Sequence, residues 1–102
     1  MATREELKSA VQEMLNDVIE QGFHHLVYHP QQSNELNQII HDATNELNYQ
    51  LLKVDSHDYK PETPELHNHY NSISRDTQRT SLDLLSRLQK VRELDNPRLK
   101  RI

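Results

Sequence analysis

Between residues 63 and 94 the sticky positions follow one helical stripe. Leu66, Tyr70, Ile73, Thr77, Thr80, Leu84, Arg87, Val91 and Leu94 recur at alternating steps of four and three, the spacing of a coiled-coil-like seam. Thr63 is placed to cap the first turn, and Pro64 fits the first helical position, where its missing N–H costs nothing. The pattern predicts one helix over 64–94, roughly 45 Å long at ~1.5 Å per residue, longer than a compact monomer of this size needs. The polar run at 72–77 and the two threonines on the stripe allow an alternative in which this helix is broken there. Neither proline nor glycine occurs in that run, so the unbroken helix is preferred.

The N-terminal segment opens with Thr3 and Glu6, the spacing of a capping box. Leu7, Ala10, Val11, Met14, Leu15, Val18 and Ile19 then form one apolar face. Gly22 reads as the terminator, with Phe23 folding back on Val18, which predicts a first helix over 3–21. Residues 23–32 carry a short apolar run ended by Pro30 and have no clear periodicity. A second helix is predicted over 34–54, burying Leu36, Ile39, Ile40, Ala43, Leu47, Leu51 and Val54. Residues 55–62 hold Asp, Ser, His and Pro and read as a connector long enough to reverse the chain. The expected fold is all-α and a single domain over 1–102. It is a three-helix bundle of two antiparallel helices plus the long C-terminal helix, completed by dimerisation, with a four-helix bundle as the alternative.

Composition sharpens this picture. Only 33% of the 102 residues are hydrophobic and 5% aromatic, so the chain is marginal as an isolated domain and oligomerisation is expected. Charged residues make up 27% with a formal net charge of −4, which argues against generic nucleic-acid binding. The balance is uneven: residues 1–70 sum to −8 and residues 71–102 to +4. The basic end complements the macrodipole of the last helix, and the tail at 95–102 also suits an acidic surface. No cysteine is present, which excludes disulfides, thiolate zinc sites and cysteine nucleophiles. A single glycine excludes phosphate-cradling loops and dinucleotide fingerprints. No apolar run approaches the ~20 residues of a membrane span, and residues 1–6 lack a signal-peptide core, so the expected compartment is the cytoplasm.

The one chemically coloured feature is an excess of histidine, seven in all. His24, His25 and His29 gather near the first turn, His57 lies in the connector, and His67 and His69 lie at the start of the last helix. Imidazoles ligate zinc or nickel when three or four converge, so His25, His29, His67 and His69, with His24 beside them, form a candidate metal set. No zinc-hydrolase helix motif or di-iron Glu-x-x-His pattern accompanies them. The neighbours His41-Asp42 and His57-Asp58 cannot orient one another as a catalytic dyad does, because adjacent helical residues point about 100° apart. Helix two is rich in amides, Asn34, Asn37, Gln38, Asn45, Asn48 and Gln50, which can serve a protein interface at low desolvation cost.

These features lead to a non-enzymatic, cofactor-free interaction or regulatory module. It is expected to form a homodimer through its C-terminal helix, with Tyr70, Ile73, Leu84, Leu88, Val91 and Leu94 as the interface and a further protein as a partner. The rival expectation is a histidine-based zinc- or nickel-binding or metal-responsive protein.

Overall fold

Both ends of the first helix reflect local chemistry in the computed structural model, which describes residues 3–94. The Leu94 side chain and the basic tail at 95–102 lie outside the described residues. Thr3 adopts an extended backbone and its hydroxyl oxygen accepts the Glu6 N–H at 3.1 Å, as the capping box predicts. The helix, α1, runs Arg4–Tyr28 and so continues past Gly22 for six residues. Gly22 therefore does not end it. The glycine is buried where α1 meets the second helix, and a Cβ there would lie 2.8 Å from Ile40 Cγ1. It serves close helix approach, and Phe23, freed from any cap, is half exposed on the outside.

A 3-10 turn over Pro30–Gln32 reverses the chain into α2, Ser33–Asp55, and α3 follows as Pro64–Leu94. Thr63 caps α3 as expected, accepting the Leu66 N–H at 3.3 Å while its backbone carbonyl accepts that of His67. Helix α3 is continuous through 72–77, which sets aside the four-helix alternative. The three helices form an elongated bundle of 56 × 24 × 16 Å.

Cross-links fix the directions. Lys8 and Arg4, at the start of α1, pair with Asp55 at the end of α2 at 2.7 and 2.5 Å, and Gly22 packs on Ile40 near the start of α2. Thus α1 and α2 are antiparallel. Arg87 donates to Asp42 at 2.8 Å and Lys53 lies 3.7 Å from Asp76, so α3 runs antiparallel to α2 and parallel to α1.

The core joins Leu7, Val11, Leu15 and Val18 of α1, Leu36, Ile39, Ala43 and Val54 of α2, and a stripe of α3. Ala10, expected on the buried face, is exposed. The α3 stripe also differs in phase from the predicted seam: it runs Leu66, Tyr70, Ile73, Thr77, Ser81, Leu84, Leu88, Val91, with Thr80 and Arg87 only half-buried. Two successive steps of four, through Thr77 to Ser81, bring the average spacing to about 3.6 residues, the period of a straight helix, where a strict heptad would demand a supercoil. Gln50 is buried too, so the polar residues His25, Gln50, Thr77 and Ser81 interrupt a mainly apolar interior.

Candidate interaction surface

The stripe expected to hold a partner is occupied by the chain itself. Tyr70, Ile73, Leu84, Leu88 and Val91 are all buried against α1 and α2, because both helices present apolar faces of matching length to α3. It is the intramolecular seam, and a second copy could use it only by exchanging α3. Leu94, the last member of the set, has its side chain outside the described residues.

The candidate metal ligands are not brought together. His25 is buried at the end of α1, where its Nε2 donates to Gln32 Oε1 at 3.1 Å, and Gln32 Nε2 in turn donates to the Val91 carbonyl at 3.1 Å. His29 stacks on His25 with ring centroids 4.3 Å apart. His69 lies at the other end of the bundle, its Nε2 donating to the Lys53 carbonyl at 2.7 Å, and His67 is exposed beside it. On α3, His69 and Val91 are 22 residues apart, about 33 Å along the axis, so the expected set of His25, His29, His67 and His69 spans most of the bundle's length. Among the described residues no three metal-ligating side chains converge. The histidines are instead built into joints. His25 and Gln32 tie the α1–α2 turn to α3, while His69 meets His57 at 5.3 Å and Tyr59 at 5.7 Å to hold the connector against the helix ends. His57 Nδ1 accepts the Tyr59 N–H at 3.1 Å.

Of the adjacent His-Asp pairs, His41 and Asp42 diverge, His41 meeting Asn45 of its own helix at 3.1 Å. Asp42 turns to α3, where the hydrogen-bonded Arg87 guanidinium holds its carboxyl below the ordinary carboxylate range against the opposing effect of burial, and Gln38 adds a 2.9 Å bond. Asp55 is lowered in the same way, first by its bond to Lys8 and then by Arg4.

These pairings leave the three outward faces with distinct chemistry. The outer face of α1 is acidic, with Glu5, Glu6, Glu13, Asp17 and Glu20, and ends in exposed Phe23, Val27 and Tyr28. That of α3 mixes both signs, with Arg75, Arg79, Asp83 and Lys90. Helix α2 is different. From Asn37 to Leu52 its exposed residues are Asn37, Gln38, His41, Thr44, Asn45, Asn48, Tyr49 and Leu52, with no acid or lysine or arginine among them. Three of its charged residues are drawn to the flanks, Asp42 to Arg87, Lys53 to Asp76 and over the Tyr49 ring at 5.3 Å, and Asp55 to Lys8 and Arg4, while Glu46 is half-buried and accepts from Gln50 Nε2 at 2.6 Å. Tyr49 and Leu52 stand 56% and 67% exposed, large apolar groups on a surface otherwise made of amides and hydroxyls.

Open grooves run along both sides of this face. One lies between α2 and α3 and includes Asn45, Tyr49, Thr80 and Arg87; the other lies between α1 and α2 and includes Gln12, Asn48, Leu52 and Lys8. The amides of α2 singled out from the sequence are exposed, with the exception that Gln50 points inward. Tyr49 and Leu52 were missed. The available signal was that both lie off the 36-39-40-43-47-54 register that α2 buries. Comparisons of the chain with protein-family models, with curated proteins and with solved structures give no match.

Proposed function

We propose that the protein is a small, non-enzymatic helical interaction or regulatory module, working in the cytoplasm, that binds protein through the outward face of α2. The observation that carries this reading is that every exposed α2 residue from Asn37 to Leu52 is uncharged, with Tyr49 and Leu52 among them. Charged groups are depleted at the centres of protein interfaces and aromatic residues enriched there, because a bound ion has to surrender its hydration and a tyrosine surrenders little. Amides exchange water for a partner at smaller cost. The homo-oligomer expected from composition is kept in this reading, but its surface moves from the α3 stripe to α2.

A photo-reactive amino acid placed at Leu52, and in a control at Leu82 on the outer face of α3, tests the assignment in cells. Leu82 is 66% exposed, so the two positions are equally accessible. A discrete protein adduct from position 52 and none from position 82 is the expected result. Equal labelling from both positions, or none from 52, would overturn it.

A further inference from the structure

We infer that the exposed apolar patch at the end of α1, Phe23, Val27 and Tyr28, is covered by the chain's own basic segment, residues 95–102. That segment lies outside the described residues. The patch is separate from the α2 face, and the inference does not depend on the reading of α2 as an interface.

Helical spacing joins acids and apolar groups on α1 into one outward strip. Glu13 and Asp17 are four apart, Asp17 and Glu20 three, Glu20 and Phe23 three, and Phe23 and Val27 four, so each adjoins the next on the helix surface, and all are exposed. Asp17 accepts from Gln21 of its own helix at 2.9 Å. Among the described residues no lysine or arginine pairs with Glu13, Asp17 or Glu20.

The topology delivers a complementary segment to the same end of the bundle. Because α3 runs parallel to α1, it ends beside the last turns of α1: Arg92 Nη2 donates to Gln21 Oε1 at 3.3 Å, and the Val91 carbonyl accepts from Gln32 Nε2 at 3.1 Å. The eight residues that follow Leu94 set Arg98, Lys100 and Arg101 against Asp95, with Leu99 and Ile102 as their apolar members. Crossing from α3 to α1 takes about 8–10 Å, and the strip from Tyr28 back to Glu20 is about 12 Å long. Extended chain of that length reaches about 27 Å, enough for both.

Charge selects this surface over the other two. The outward face of α3 would set the segment against Arg79 and Lys90 as well as Asp83, and the exposed strip of α2 holds no acid to draw it. The outward face of α1 offers its acids, and the C-terminal end of that helix adds the partial negative charge of its last carbonyls. A tethered segment meets a surface within its reach at an effective concentration on the order of millimolar, so the chain's own segment outcompetes that of a second copy in dilute solution.

The chain's lack of cysteine makes the test clean. Under mild oxidation Phe23→Cys combined with Ile102→Cys should form a disulfide at least tenfold faster than Leu82→Cys combined with Ile102→Cys. Position 82 is about 18 Å from Leu94 along α3, inside the same reach, so a segment with no preferred surface would find both. The product should run at monomer mass, and its rate should not depend on protein concentration. Adding Asp17→Asn and Glu20→Gln, both at exposed positions, should bring the two rates together with helical circular dichroism unchanged. Equal rates without those substitutions, or a preference for position 23 that survives them, would overturn the inference. A disulfide dimer whose rate rises with concentration would assign the segment to a second copy and overturn the contact within one chain. Loss of the photo-adduct at position 52 would bear on α2 alone.

Discussion

Replacing Gly22 with alanine separates two physical roles for that residue, and the structure sets the sign. In a helix interior alanine is favoured over glycine by about 1 kcal/mol, because glycine loses more backbone freedom on folding. Gly22 lies inside α1 with an ordinary negative φ, so this gain is available in full. Against it, the added Cβ would lie 2.8 Å from Ile40 Cγ1 and 3.3 Å from its Cδ1. Ile40 is β-branched and buried, so its Cγ1 cannot swing away without leaving a rotamer well or moving the backbone. Overpacking of this kind costs roughly 1–3 kcal/mol, so Gly22→Ala should be net destabilising by about 1 kcal/mol.

The companion variant Ile40→Ala removes the obstructing atoms. In that background Gly22→Ala should become stabilising by about 1 kcal/mol, which makes the coupling between the two positions about 2 kcal/mol. Urea unfolding followed by helical circular dichroism on the four proteins of the cycle measures it. Were the glycine a left-handed terminator, its replacement would cost about as much in either background, since that strain is local to the backbone. Stabilisation by the single variant, or equal effects in both backgrounds, would refute the account of Gly22 as the contact point between α1 and α2.

Three further outcomes follow from the packing. Gln50 Oε1 and Thr77 Oγ1 are buried without a hydrogen-bond partner, so Gln50→Leu and Thr77→Val should each raise the urea midpoint, by about 1–2 kcal/mol in stability, and a lowered midpoint would contradict this. Leu84→Glu combined with Val91→Glu should abolish cooperative unfolding and helical circular dichroism, because both positions are core; a folded monomer would restore the α3 stripe as a partner surface. Asp42 is held below its ordinary value by Arg87, so the contribution of that pair is present above the unfolded aspartate value of about 3.9 and is lost as pH falls through the lower folded value. The pair is partly exposed and worth at most about 1 kcal/mol; the stability difference between wild type and Arg87→Gln, measured from pH 7 to pH 2, should be constant at the upper end and vanish at the lower.

The helices themselves were legible where local chemistry decides them. Thr3 with Glu6 and Thr63 with Pro64 place the starts of α1 and α3, and the apolar register of α2 places that helix within a residue or two. Gly22 was misread because a glycine at a helix C-terminus and a glycine at a helix crossing leave the same mark in sequence; only the position of Ile40 distinguishes them. The α3 seam was read one position out at Thr80 and Arg87, because small polar residues at 77–81 hide the step at which a straight helix departs from a heptad. The histidines cluster in sequence by loop, and the topology then assigns the two loops to opposite ends of the bundle, which no local pattern encodes.

Surface chemistry has a deeper dependence on the fold. Asp42, Glu46, Lys53 and Asp55 make α2 look as charged as its neighbours when read along the chain. Partners on other helices draw three of them to the flanks, Asp42 to Arg87 and Lys53 to Asp76 on one side and Asp55 to Lys8 and Arg4 on the other, while Glu46 is half-buried and accepts from Gln50 of its own helix. The ion pairs at the two flanks hold charge along the lines where α2 meets α3 and α1, and what is left exposed between them is amide, hydroxyl, imidazole, tyrosine and leucine. Such pairs add little stability because they are largely solvated. On the proposed reading their consequence is for recognition: by fixing where most of the charges sit, they leave between the flanks a strip of exposed uncharged side chains, from which a partner has few ions to strip of water.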